Sequence, residues 1–274
     1  MMFVCTLRGS QLPTSIIQFF YILIFAVGYL VTAEASAQGQ NRAMTTVRDL
    51  AEIKAECQRV AKLYIERTTG RDSDRLTRRM ARATAELEEY SMHAPAWIQT
   101  GLPAEKSNEV VADVKQLISM AKSAKPSETV AVIAVADRCS KDADAMMQEV
   151  RGGAANSKAV QLTARALYLS QRAVRDAILM ANRIKAPGVS AEVLTKESDE
   201  LTAVLREIAT LPSTPGMKTS LDLANNQWTL VRPSLARGAS SPESLDLALR
   251  ASERMFEALD ELFDEVAKAA LAFN

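Results

Sequence analysis

From about residue 42 to the C-terminal end, apolar positions recur at alternating steps of three and four. Leu50, Ile53, Cys57, Val60 and Tyr64 fall on one line, and Val132, Ala136, Cys139, Ala143, Met146 and Val150 on another. Near the end Leu245, Leu249, Ser252, Phe256, Leu259 and Phe263 repeat the pattern. A seam of this period is the narrow stripe of helices that pack nearly antiparallel and interdigitate every 3.5 residues. The periodic stretches are separated by breaks at 68–74, 91–107, 123–128, 151–157, 185–190, 211–216 and 237–244. Each break carries Gly or Pro, and most carry a Ser, Asp or Asn suited to capping the next helix. Seven breaks delimit eight helices.

These helices repeat. The seam beginning at Val132 and the one beginning at Leu245 keep a constant spacing of 113 residues, as do Gln58-Arg59 and Gln171-Arg172, Leu117 and Leu230, and Ile118 and Val231. "LTRRMARATAELEEY" (76–90) matches "LTKESDELTAVLREI" (194–208) at 118, so five residues are gained in one loop and lost in another. Length differences confined to loops are what a duplicated structural unit shows. The expected fold is all-α: two tandem up-down-up-down four-helix bundles, 38–152 and 153–274, split near Gly152-Gly153.

Composition sharpens this reading. Aromatics are only 5% of the chain, so the 48% hydrophobic content is carried by helix-forming Ala, Leu and Met rather than by strand formers. Lys plus Arg equals Asp plus Glu at 33 each, and no global field favours nucleic acid. The N-terminus differs. No charge occurs between Arg8 and Glu34, and "IIQFFYILIFAVGYLV" (16–31) precedes small residues at Ala35 and Ala37. Residues 1–37 fit an export signal cleaved before Gln38, or alternatively an uncleaved membrane anchor. Either way the remainder is expected in the periplasm, free or tethered to the inner membrane.

Cys5 leaves with a cleaved signal, so the mature chain retains Cys57 and Cys139, both on inward seams of helices that neighbour in the first bundle. An oxidising compartment favours a disulfide between them, worth about 4 kcal/mol for a loop of this size. Two buried thiols are the alternative. Catalytic machinery is missing from the sequence: His93 is the one histidine, and there is no nucleophile elbow, Cys-x-x-Cys, P-loop or dinucleotide fingerprint. No enzymatic activity, metal or cofactor is expected. The methionines read as core filling, Trp97 and Trp228 as packing at bundle ends, and the carboxylates at 86–89 and 260–265 as solvated faces.

One helix poses a question. "ALYLSQRAVRDAILMANRI" (166–184) places Ser170, Gln171 and Arg172 at the centre of an apolar stretch. Buried polar groups must be satisfied or presented to something. Either Gln171 and Arg172 sit at a bundle edge and pair with carboxylates or helix ends, or arginines near the seam bind a small anion.

"TARALYLSQRAVRDAIL" (163–179) resembles the signature of the PilJ-like sensing domain of type IV pilus methyl-accepting chemotaxis transducers, Gly-Arg-x-Arg-Met-Leu-Ser-Gln-Arg. "AECQRVAKLYI" (55–65) is similar to a worn copy of it. Arg165 matches the first arginine and Leu169-Ser170-Gln171-Arg172 the end of the pattern, while Ala164 replaces the glycine and Leu167 the second arginine. In the first copy Lys54 stands where Leu167 does, with Gln58 and Arg59 following. The resemblance implies a sensor-type domain, with Lys54, Arg59, Arg165 and Arg172 as candidate ligand-binding residues. A small anion or metabolite is the implied ligand, and an inner-membrane transducer or envelope protein the implied partner. A purely structural helical module docking on envelope or pilus components is the competing reading. Exposed apolar surface would favour docking, and a polar cavity lined by those cations would favour a ligand.

Overall fold

The computed structural model describes residues 14–71, 73–236 and 241–272. Among these residues the chain is helical without strands, as an all-α fold requires. Its elements are α1 (Thr14–Thr68), α2 (Asp74–Met92), α3 (Ala94–Gln99), α4 (Ala104–Ser123), a 3-10 turn (Pro126–Glu128), α5 (Thr129–Glu149), α6 (Lys158–Ala181), α7 (Ala191–Ala209), α8 (Pro215–Ala236) and α9 (Pro242–Ala272). The chain divides into two compact units at Gly39/Gln40. Residues 1–13 of the expected export signal, and the side chains of 14–36, lie outside the described residues. Among the described residues no helix is long and apolar enough to cross a membrane.

The breaks act through capping chemistry. Ser73, Ser157 and Ser190 accept from the amides of Leu76, Val160 and Val193, each satisfying one of the free N–H groups that open a helix. The 91–107 break contains α3, a helix the sequence pattern does not show. Pro95 presets its first turn, and the buried Trp97 anchors it to α1 by donating from Nε1 to Asp49 Oδ2 at 3.0 Å.

All residues of the three seams are buried. Helix α6 packs on α7, α7 on α8, α8 on α9, and α9 back on α6; in the first half α2 packs on α4 and α4 on α5. Helix α1 joins that first half through Cys57 and Gln58 against α5 and Arg59 against α2.

The boundary expected near Gly152-Gly153 falls inside the single unit 40–274. Two features tie the halves together. The connector runs close to α1: a Cβ at Gly152 would meet Ala43 Cβ at 2.9 Å, so only glycine passes there without displacement. In addition, α1 is buried on all sides from Asp49 to Glu66, because its second face is covered by α6 and α9.

That covered face is polar, and its two glutamines are satisfied reciprocally. Gln58 donates to Ser140 Oγ at 2.8 Å and Ala136 O at 3.2 Å, and its Oε1 accepts from Arg175. Gln171 donates to Ser252 O at 3.2 Å, and its Oε1 accepts from Lys62 Nζ at 2.7 Å. The two glutamines stand 113 residues apart, and so do Lys62 and Arg175. Each half therefore sends a cation to the other half's glutamine, the contact pattern of an isologous dimer interface carried within one chain.

Candidate functional site

Three helical stripes converge on a cleft of about 710 Å³. From α6 come Arg165, Tyr168 and Arg172; from α7, Lys196, Glu197 and Glu200; from α5, Asp137, Lys141 and Asp144; and Lys54 reaches in from α1. Steps of three and four put each set on one face of its helix. The lining carries five cations and four carboxylates, so the cleft is strongly polar and close to neutral.

Three of those cations are already paired. Lys54 Nζ lies 2.5 Å from Asp144 Oδ1 and 4.6 Å from the centroid of the Tyr168 ring. Arg165 pairs with Glu200, and Arg172 Nε lies 2.7 Å from Glu197 Oε1 while its Nη1 donates to Tyr168 Oη. Burial lowers the pKa of Lys54, only partly opposed by Asp144. Burial, reinforced by Asp176, pushes Glu197 up to about 7, and its Oε2 has no hydrogen-bond partner. Lys141 and Lys196 differ from the others: both are exposed, and neither makes an ion pair among the described residues.

The structure thus brings together Lys54, Arg165 and Arg172. Arg59, the fourth cation named with them, does not line this cleft. It lies buried under Phe256 at 4.7 Å from the ring centroid, and is bonded to Glu56 at 2.8 Å, Glu86 at 3.1 Å and Glu253 at 3.0 Å. Three carboxylates consume its donors, which leaves no vacant fork for a ligand. Arg59 and Arg172 share a frame but face opposite sides of the α1–α6 pair.

The polar interruption in α6 has a structural answer. Gln171 and Gln58 hold the interface, and Ser170 Oγ donates to Leu167 O at 2.7 Å within its own helix. Only Arg172 turns to the cleft. Cys57 and Cys139 are free thiols with sulfurs 2.8 Å apart, both buried, and burial pushes the Cys57 thiol well above its usual range. A thiol so placed is a poor nucleophile.

Sequence reasoning missed Lys62 and Arg175, which the 113-residue spacing marks one turn beyond each glutamine. It also missed Tyr168, Lys141, Lys196 and Glu197, for which no local pattern exists. No known protein family, curated protein or solved structure matches the chain.

Proposed function

We propose that the chain is a non-enzymatic, sensor-type binding protein of the periplasm, a tandem pair of PilJ-like four-helix units whose α5–α6–α7 cleft takes a small polar metabolite bearing an anionic group. The observation that carries this reading is the pair of unpartnered lysines, Lys141 and Lys196, on a cleft whose other cations are neutralised. An arriving carboxylate or phosphate meets free ammonium groups there without breaking an existing pair. Glu197 adds an acceptor with an open oxygen, which favours a ligand with an ammonium or hydroxyl at its other end.

The docking alternative needs contiguous apolar surface. Among the described residues the exposed large apolar side chains are Met92, Ile98, Val130, Leu223, Leu230 and Leu247, all but Met92 less than half exposed. So little exposed apolar surface favours the ligand reading.

A thermal-shift screen of the full chain against small carboxylates, amino acids and sugar phosphates tests it, since a ligand specific to the folded state raises Tm. We expect a saturable rise from at least one compound, abolished by Lys141→Ala with Lys196→Ala. No rise from any compound, or an equal rise in the double variant, would remove the cleft as a binding site.

A further inference from the structure

A second cavity, of about 150 Å³, lies where the end of α1, the start of α2 and α9 meet. Four arginines line it, Arg71, Arg75, Arg79 and Arg250, against two acids, Glu66 and Asp246. Asp246 is taken up by Arg250, Oδ2 to Nη2 at 2.7 Å. Arg79 Nε stands 3.9 Å from Glu253 Oε2, a carboxylate already shared with Arg59 and Lys62. Arg71 and Arg75 make no side-chain hydrogen bond or ion pair among the described residues. Guanidinium groups gathered this way repel one another, and among the described residues no ion pair of Arg71 or Arg75 offsets that repulsion.

Two further features mark the cavity as built for an anion. It opens at the N-terminus of α2, a helix of 19 residues capped by Ser73, where free amides and the helix dipole both favour negative charge. Glu66 is 5% exposed, and its Oε1 has no hydrogen-bond partner. Burial pushes Glu66 up to about 7 against Lys62, Arg79 and Arg71, and a neighbouring anion would favour the protonated form, whose O–H can donate to an oxyanion.

We propose that Arg71, Arg75, Arg79 and Arg250 form a site for a free tetrahedral oxyanion of the sulfate and phosphate class, separate from the α5–α6–α7 cleft. Planar guanidinium forks match the paired oxygens of such an ion, and a cavity of this volume admits the ion without a larger substituent. The site stands whether or not the cleft binds a metabolite.

Melting of the full chain in increasing sodium sulfate, and separately sodium phosphate, against sodium chloride of equal ionic strength tests the assignment. We expect a saturable rise in Tm with both oxyanions over chloride. Arg71→Ala with Arg75→Ala, two partly or fully exposed residues that make no ion pair among the described residues, should weaken the apparent affinity at least tenfold. A rise that the double variant leaves unchanged overturns the proposal. So does a rise that disappears instead in Lys141→Ala/Lys196→Ala, which would move the ion to the cleft. Binding to vesicles containing phosphatidate, with no response to inorganic phosphate, would overturn it in favour of a lipid headgroup.

Discussion

Glu253 is the anion on which the buried joint between the halves turns. It is 4% exposed and accepts from Arg59 Nε at 3.2 Å, from Arg59 Nη2 at 3.0 Å and from Lys62. Burial alone would raise its pKa; Lys62 and then Arg59 outweigh that and hold it down to about 2. Against an ordinary glutamate at 4.5, linkage assigns about 3 kcal/mol of stability to the ionised native carboxylate. Because the native value is depressed, that stability is present above pH 4.5 and is lost as pH falls toward 2. Glu253→Gln keeps the shape and removes the charge, leaving Lys62 buried without its carboxylate partner, while Arg59 keeps Glu56 and Glu86. Removing one member of a buried pair costs about 3–5 kcal/mol. Relief of repulsion on Glu56 and Glu66, both of which feel Glu253, places the expectation at the lower end. With a urea slope of about 2–3 kcal/mol per molar, the unfolding midpoint of the full chain at pH 6 should fall by about 1–1.5 M. The variant's midpoint should also lose the part of the rise between pH 3 and 5 that Glu253 supplies. A midpoint lowered by less than about 0.3 M, with the wild-type acid limb intact, would refute the reasoning.

Glu56 supplies the opposite limb: burial pushes it up to about 8, and its Oε2 has no partner. Its native pKa is raised, so its contribution is present below 4.5 and lost as pH climbs through 8; Glu56→Gln should raise the urea midpoint at pH 9 while changing it little at pH 5. Gln58→Met and Gln171→Met each remove one acceptor of a buried cation, Arg175 keeping Asp137 and Asp176 and Lys62 keeping Glu253 and Ser252, and each should destabilise by about 1–3 kcal/mol in matched denaturation curves; a neutral effect of either would break the reciprocity. Peptide mapping of protein isolated under oxidising conditions, without reduction, should recover the Cys57 and Cys139 peptides joined, whereas alkylation of both on unfolding would establish two buried thiols.

The seams were legible because a 3.5-residue period fixes which side of a helix faces its neighbours, and all three predicted seams are buried. The other face of α1 was not. Glu52, Glu56, Lys62 and Glu66 fall where an amphipathic helix ordinarily meets water, and periodicity alone places them outside. They are buried because α6 and α9 lie over that face, where Lys62 meets Glu253 while Glu52 and Glu56 stand near the like charges of Asp260 and Glu253, a property of two surfaces meeting and of neither stripe alone. Helix α3 was hidden by the Pro and Gly that surround it, since a six-residue helix has too few turns to show a period. The candidate site was half legible. Arg165 and Arg172 were named through the resemblance of α6 to a sensing-domain signature, whereas Lys141 and Lys196 join them only once α5 and α7 are placed on either side.

Hydrogen exchange of the full chain, with and without a saturating amount of the compound giving the largest thermal shift, tests the cleft most directly. The account predicts slowed exchange confined to peptides spanning 137–144, 165–172 and 193–200, the three stripes that line it. Protection that leaves those segments untouched and appears along α8 and α9 would contradict it.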